Sequence, residues 1–317
     1  MSSTRRELVL AGACVLSALV FASASPAFGT LDNLAVIFRN STELLLVGLG
    51  MTLLLATASI DVSVGVALGL IAIVVGQLLQ AGFPTPIVAL AGPIAGALVG
   101  LVVACVVVLG RIPPIVGTLG LFGVFRTGIF LALGGQWLSG LPSDLTELVD
   151  YPLLGLNLSV WVVFAAYACV WVMLRKTPFG THLLAVGHSV EKARLSGIAV
   201  AKVRFVVFVI SGVLCGIAAT FFVATYRNVE MTSGSLLALE AIAAVVLGGT
   251  SLLGGRCSLL GTVLGVLLLR LLQNGLVLIG VSSLWQPVVV GGLLIVVLVG
   301  DAIGGRWLAR RVASRAA

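Results

Sequence analysis

Charge is scarce in this chain. Asp, Glu, Lys and Arg make up 9% of its 317 residues, against 60% hydrophobic residues. Soluble domains carry roughly a quarter charged residues, so no stretch of this chain reads as a water-soluble domain. Histidine occurs only at His182 and His188, both in one polar interval, which excludes an intramembrane histidine proton relay. Few carboxylates fall inside apolar runs, which argues against a proton-coupled antiporter. The chain has no G-x-x-x-x-G-K-[ST] loop to cradle nucleotide phosphates, no G-x-S-x-G elbow and no H-E-x-x-H pair. The five cysteines (Cys14, Cys105, Cys169, Cys215, Cys257) have no metal-ligand spacing. Four sit in apolar runs, where a thiol acts as a small hydrophobe. The fifth, Cys257, lies at an expected cytoplasmic turn and is expected to be a free thiol. Low-complexity tracts are absent, and so is the short apolar–polar alternation of an outer-membrane barrel.

Long apolar runs dominate instead. They fall at residues 8–24, 42–59, 66–79, 87–109, 113–134, 156–174, 205–225, 236–249, 259–278 and 285–299. Runs near 18 residues are long enough to cross a bilayer as helices. The fold class is therefore all-α, a polytopic helical membrane protein with about ten crossings, forming one domain over residues 1–317. The 39 glycines suit closely packed membrane helices. Residues 8–24 follow Arg5 and Arg6, and Ala22-Ser23-Ala24 would pass as a signal cleavage site; an uncleaved first span has the same look. Residues 25–40 read as an outer loop. Pro113 and Pro114 open the fifth run, where the first turn has no amide bond to lose.

The basic residues are distributed unevenly. With both termini inside, about fourteen of the eighteen Lys and Arg fall on the cytoplasmic side. They are Arg5, Arg6, Arg111, Arg256, the tail arginines Arg306, Arg310, Arg311 and Arg315, and six in the interval 175–204. Only Arg39 and Arg227 fall outside, and Arg126 and Arg270 lie within spans. Basic loops resist translocation, so this asymmetry sets the orientation as N-in and C-in. The net charge of +7 is thereby explained at membrane flanks, without nucleic acid. The interval 175–204 is the longest polar stretch. Within it, Ser189 is a candidate N-cap for a short helix that ends at Gly197. Such a helix suits docking on a partner; a solvated connector is the plainer alternative.

Four features could carry chemistry. In Ile60-Asp-Val-Ser-Val-Gly65, Asp61 sits between two spans, either capping the next one through Ser63 or Val64, or meeting solute. Arg126, mid-span, needs a cavity or a carboxylate, and Glu240 is the expected partner. Gln136 and Trp137, at the outer mouth, offer an amide and an indole to a sugar-like solute; a membrane-anchoring tryptophan is the alternative. The run from Leu247 to Gly255, with Gly248 and Gly249, implies a broken helix or a tight helix crossing. From residues alone the chain is a solute-conducting helical bundle with a cytoplasmic docking loop. A stand-alone secondary transporter or channel remains open, whereas a membrane enzyme lacks a catalytic set.

Five ordered motifs then carry a resemblance over nearly the whole chain. They are Gly50-Met-Thr-Leu with Ser59-Ile-Asp-Val-Ser-Val-Gly65, Pro114-Ile-Val-Gly-Thr-Leu-Gly120, Thr177-Pro-Phe-Gly180 with Ala185-Val-Gly-His188, Ala193-Arg-Leu-Ser-Gly-Ile198, and Ala241 through Gly255. The chain resembles the membrane permease subunits of ABC importers for ribose and related monosaccharides. In the loop from Gly134 to Pro142 it looks most like the autoinducer-2 permeases. The resemblance implies a dimeric pathway in the bacterial inner membrane, made with a second permease subunit, either the same chain or a paralogue. It also implies a separate ABC ATPase subunit holding ATP and Mg, and an extracytoplasmic solute-binding protein. This chain then binds no cofactor or metal. The coupling helix of the family matches Gly187 to Gly197 here, which carries that role to His188, Glu191, Lys192, Ala193, Arg194 and Leu195. Asp144, Glu147 and Asp150 form an acidic outer loop suited to the binding protein. Arg256-Cys257 after the double glycine is a local departure from the family pattern.

Overall fold

A computed structural model of the chain describes residues 3–289, 291, 292 and 295. The last expected crossing, 285–299, falls largely outside the described residues, and the four tail arginines fall wholly outside them. Twelve α-helices follow in order: α1 (Ser3–Ala24), α2 (Leu31–Ala56), α3 (Val64–Gln80), α4 (Thr85–Ala104), α5 (Pro114–Leu133), α6 (Asp144–Val149), α7 (Leu158–Lys176), α8 (Pro178–His188), α9 (Val190–Leu195), α10 (Val200–Tyr226), α11 (Leu237–Leu247) and α12 (Leu259–Leu278). Four two-residue strands, β1 (Leu138–Ser139), β2 (Pro152–Leu153), β3 (Leu156–Asn157) and β4 (Asn228–Val229), make two small antiparallel ladders, β1 with β4 and β2 with β3. Among the described residues seven helices are long and apolar enough to cross a membrane, and α3 and α11 are shorter apolar helices. Together these account for the first nine expected crossings.

The bundle is built around α2. Every residue from Ser41 to Ala56 is buried, and a helix that is apolar all round belongs in the middle of a bundle. Helix α10 lies beside it. Gly92, Gly96 and Gly100 on α4 recur every fourth residue, as do Gly212, Gly216 and Thr220 on α10. A Cβ at Gly96 would meet the Gly212 carbonyl and one at Gly216 would meet the Gly92 carbonyl. The two backbones therefore touch directly, which is how membrane helices gain packing energy without a hydrophobic drive between them. Helix α12 meets α2 through a buried Thr52–Thr262 hydroxyl pair at 2.6 Å, and meets α11 through Gly261 against Gly248 and Gly265 against Ala244. Helix α1 lies along α12, where Phe21 covers Gly275 and Glu7 accepts from Ser258 Oγ at 2.7 Å.

Both boundaries of α2 differ from expectation, and α10 begins at Val200, five residues before the expected start. Residues 31–40 are the first turns of α2, not a loop. Thr30 caps them by accepting from Asn33 N at 3.3 Å. The polar residues that resembled a loop find partners: Arg39 pairs with Asp150 at 3.0 Å, and Asn33 exchanges amide bonds with Asn274 at 3.0 Å. At its other end α2 stops at Ala56. Residues 57–63 are irregular, with Ala58 at φ 55°.

Sidedness follows from the packing. Arg6, Ala56, Gly187, His188, Gly249 and Gly255 gather at one end of the bundle. The Arg39–Asp150 pair and the β1–β4 ladder lie toward the opposite end of α2 and α10. The gathered end is the one expected to be cytoplasmic. The glycine contact between α4 and α10 gives a direct test. Gly212→Leu should cost about 1–3 kcal/mol by overpacking, read as a lowered thermal midpoint in lipid nanodiscs. Gly12→Leu, where nothing lies within 4 Å, should leave the midpoint in place.

Candidate functional site

Backbone at membrane depth must be satisfied internally, and this chain departs from helix twice within its bundle. The first break joins α2 to α3. Asp61 is buried, and its Oδ1 accepts from Ser63 N at 2.8 Å and Ser63 Oγ at 2.6 Å. The Asp61 carboxylate thus closes a turn just ahead of α3, with Ser63 supplying both donors, while the N-cap position of α3, Ser63, has no side-chain cap bond of its own. The remaining groups are taken up from neighbours. Thr118 Oγ1 on α5 accepts from Val62 N at 3.2 Å, Gly255 N donates to Ala56 O at 3.0 Å, and Arg204 Nη2 on α10 reaches Thr57 O at 3.4 Å. Gly65 opens α3 against the Gly234 carbonyl, where any side chain would collide.

The second break precedes α11. Eleven residues of helix rise about 16 Å, half of the roughly 30 Å hydrocarbon core. The rest of that depth is covered by β4 and the turns from Glu230 to Leu236. This segment runs down α3, with the Ser233 carbonyl over Gly69 and Gly234 over Gly65. Helix α11 is thus a half-helix whose N-terminus faces the bundle interior, the arrangement that discontinuous transporter helices use around solute.

Arg126 meets this segment. Its Nη1 donates to Ser235 Oγ at 2.7 Å. The expected Arg126–Glu240 pair is not formed. Glu240 belongs to another cluster, where Arg270 of α12 reaches Glu240 Oε2 at 3.4 Å and Glu43 Oε1 of α2 at 3.1 Å. Gln273 bridges, donating to Glu240 at 3.0 Å and accepting from Arg270 at 2.7 Å, and Tyr226 Oη adds a bond to Glu43 at 3.4 Å. The four helices α2, α10, α11 and α12 are joined there. Arg270 was legible in sequence as a charge within a span, but its partners lie 227 and 30 positions away, and only the fold brings Glu43 and Glu240 to it.

The remaining candidates divide by position. Gly134 and Gly135 carry positive φ at the end of α5, and Gln136 and Trp137 are exposed there beside β1. Gly248 ends α11, and Gly249, at φ 92°, lies over the Arg6 side chain. The glycine run is therefore the α11–α12 turn and a tight helix crossing. It sits at the gathered end, away from Gln136 and Trp137.

At that end lie α8 and α9, the interval read from sequence as a docking loop. Ser189 caps α9, accepting from Lys192 N at 3.3 Å. Gly197, at φ 78°, ends it, with Gly197 N on Arg194 O and Ile198 N on Ala193 O, both at 3.0 Å. Ala193 points into the bundle, while Glu191, Lys192, Arg194 and Leu195 are exposed, Leu195 by 83%. Gly187 is pressed against the Ala56 carbonyl and Gly255 N, and His188 covers Gly255. The end of α8, immediately before α9, thus touches both the end of α2 and the α11–α12 turn.

Arg270→Met would leave two carboxylates unpaired in the bundle. Breaking a buried pair costs about 3–5 kcal/mol, so the thermal midpoint should fall sharply in nanodiscs. Adding Glu43→Gln and Glu240→Gln to Arg270→Met should recover most of the loss.

Comparison with known proteins accords with this architecture. A family described as the permease component of branched-chain amino acid transport systems matches residues 33–298. The autoinducer 2 import system permease protein LsrC of Klebsiella pneumoniae is 39% identical over 96% of this chain and 89% of its own length. Its namesake in Enterobacter is 39% identical over 89% of this chain and 82% of its own. The Escherichia coli K12 protein of the same name is 35% identical over 86% of this chain and 80% of its own. No solved structure matches. A helical bundle whose described residues include a broken span, a half-helix and a short exposed helix, matched by the family over residues 33–298, belongs to the membrane permease components of ABC importers.

Proposed function

We propose that this chain forms the translocation pathway of an ATP-driven, binding-protein-dependent importer in the bacterial inner membrane, paired with a second permease subunit, and that its cargo is autoinducer 2 or a closely similar sugar-like solute. ATP and Mg are held by a separate ATPase subunit, since this chain has no phosphate-cradling loop. The cargo rests on the printed names of the relatives, which are autoinducer 2 import permeases.

One observation carries the coupling role. Helix α9 is capped at both ends, anchored by Ala193, and presents Leu195 and three charged side chains outward. A large exposed leucine among charges, at the basic end of a membrane bundle, is an unfinished interface. Leu253, 87% exposed on the adjacent glycine turn, extends that surface. Force on α9 passes through Gly187 to the Ala56 carbonyl and Gly255, and so to both breaks in the bundle. Arg126 and Ser235 hold the half-helix segment that would move, and Gln136 and Trp137 supply amide and indole contacts where solute enters. At the outer end Asp150 is already tied to Arg39. Asp144 and Glu147 remain exposed to receive the binding protein.

The decisive measurement is solute-stimulated ATP hydrolysis in proteoliposomes containing this chain, its ATPase and its binding protein. Autoinducer 2 should stimulate turnover where unrelated pentoses do not, and Glu191→Ala or Arg194→Ala should abolish the stimulation. Passive flux through this chain alone, with no ATPase complex, would instead favour the stand-alone transporter. Orientation has its own test. Burial pushes the Cys257 thiol up to about 11, although Arg175 pulls the other way. The thiolate is the reactive form. In a variant with Cys14, Cys105, Cys169 and Cys215 replaced by alanine, an impermeant thiol reagent should label Cys257 only from the ATPase side. The rate should climb about tenfold per pH unit between pH 7 and 10.

A further inference from the structure

A cavity of about 710 Å³ opens at the gathered end between α4, α5, α9 and α10. It meets the first backbone break only through Arg204, and it is separate from the second break and from the Glu43–Arg270–Glu240 cluster. Three arginines line it: Arg111 after α4, Arg194 on α9 and Arg204 in the first turns of α10. No Asp or Glu is among the lining residues. Three like charges around one cavity repel each other, and a counter-charge placed among them removes that repulsion. Arg204 shows the deficit directly. Its Nε is buried and has no hydrogen-bond partner, and its Nη2 has only the 3.4 Å contact to Thr57 O. A guanidinium N–H left unpaired away from water is costly.

The rest of the lining indicates what would fit. Val107, Val108 and Val190 give apolar walls beside the arginines. The cavity also sits just past the end of α4, where α5 and α10 begin, the level expected for lipid headgroups. Basic pockets between membrane helices on the cytoplasmic side suit phosphate headgroups, and the planar guanidinium fork pairs with phosphate oxygens two at a time.

We infer that this three-arginine cavity is a phosphate-binding site, filled by the headgroup of an acidic phospholipid or by a free phosphate. A phosphate there ties Arg194 of the docking helix to Arg111 and Arg204 of the bundle. Occupancy therefore sets how firmly α9 is held against the span ends.

The test uses the full chain in nanodiscs of phosphatidylcholine alone, of phosphatidylcholine with equal phosphatidylglycerol, or of phosphatidylcholine with added inorganic phosphate. Thermal midpoint and lipid retention in native mass spectra are the readouts. Phosphatidylglycerol should raise the midpoint and stay bound, and an Arg111→Gln, Arg194→Gln, Arg204→Gln variant should weaken its apparent affinity by about tenfold or more. A control variant, Arg175→Gln, Lys176→Gln, Lys202→Gln, removes as many charges from exposed positions at the same end and should retain the effect. A saturable response to inorganic phosphate alone, lost in the same arginine variant, would identify free phosphate as the source. Equal responses from the two variants in every arm would overturn the site. So would an arginine variant that loses only ATPase capture, because the cavity would then belong to carboxylates of that subunit. If the triple variant fails to fold, exposed Arg194→Gln alone carries the same comparison.

Discussion

In hydrocarbon, an unpaired backbone N–H or C=O costs several kcal/mol and cannot turn to water. Each departure from helix in this bundle therefore needs a partner from another element. Residues 57–63 obtain theirs from Thr118 on α5 and Arg204 on α10, and Gly255 on the α11–α12 turn takes up the last carbonyl of α2 at Ala56. Three elements far apart in sequence are thus committed to one place. The turn at Asp61 completes the set by bringing a carboxylate inward onto Ser63. Moving any of the three would strip partners from the break, so the break and its neighbours shift as a unit or not at all.

Buried charges obey the same logic at higher stakes. Arg270 sits between two carboxylates, Gln273 bonds both Arg270 and Glu240, and Tyr226 bonds Glu43, while Arg270 Nε has no partner. Such a cluster adds little net stability over an apolar core of the same volume, but losing one member is severe. Its effect is to fix the register of α2, α11 and α12 against one another. The Arg39–Asp150 pair is partly exposed at the outer end, where pairs of that kind contribute about 0–1 kcal/mol. It holds the first turn of α2 without deciding the fold. The chain thus places its strongest electrostatic contact where the half-helix meets the central helix.

The spans were legible because hydropathy is a property of single segments. Helix α12 ends at the residues that its apolar run predicts, and Ser189 and Gly197 announce α9 by cap chemistry alone. The start of α2 was not legible. Asp32, Asn33 and Arg39 look like loop residues until Asn274 and Asp150 are beside them, and those partners come from distant parts of the chain. The half-helix α11 escaped for a related reason. Leu236 and its neighbours continue an apolar run smoothly, and nothing local says that the crossing begins as irregular backbone laid along glycines of α3. The Arg126 partner was misjudged because Glu240 lay at a suitable depth for two different arginines. Only the packing of α12 onto α11 assigns it to Arg270. The every-fourth-residue glycines of α4 and α10 were visible but carry no partner information until the two helices are seen to cross.

Stiff and soft elements are arranged in series from the docking end inward. Helix α9 is too short to bend, being one and a half turns fixed by a serine cap and a left-handed glycine. Gly187 allows no side chain between it and the end of α2, so displacement of α9 cannot be absorbed by a compressible side chain at that contact. The next elements inward are the two breaks, where helical hydrogen bonds are replaced by single side-chain bonds such as Thr118 to Val62 and Arg126 to Ser235. One such bond can be exchanged at modest cost, whereas opening a helical turn breaks several together. On the proposed coupling role, a push delivered at α9 would pass through glycine contacts and be taken up where the backbone is already irregular, beside the N-terminus of the half-helix, while the α4–α10 glycine crossing would stay fixed.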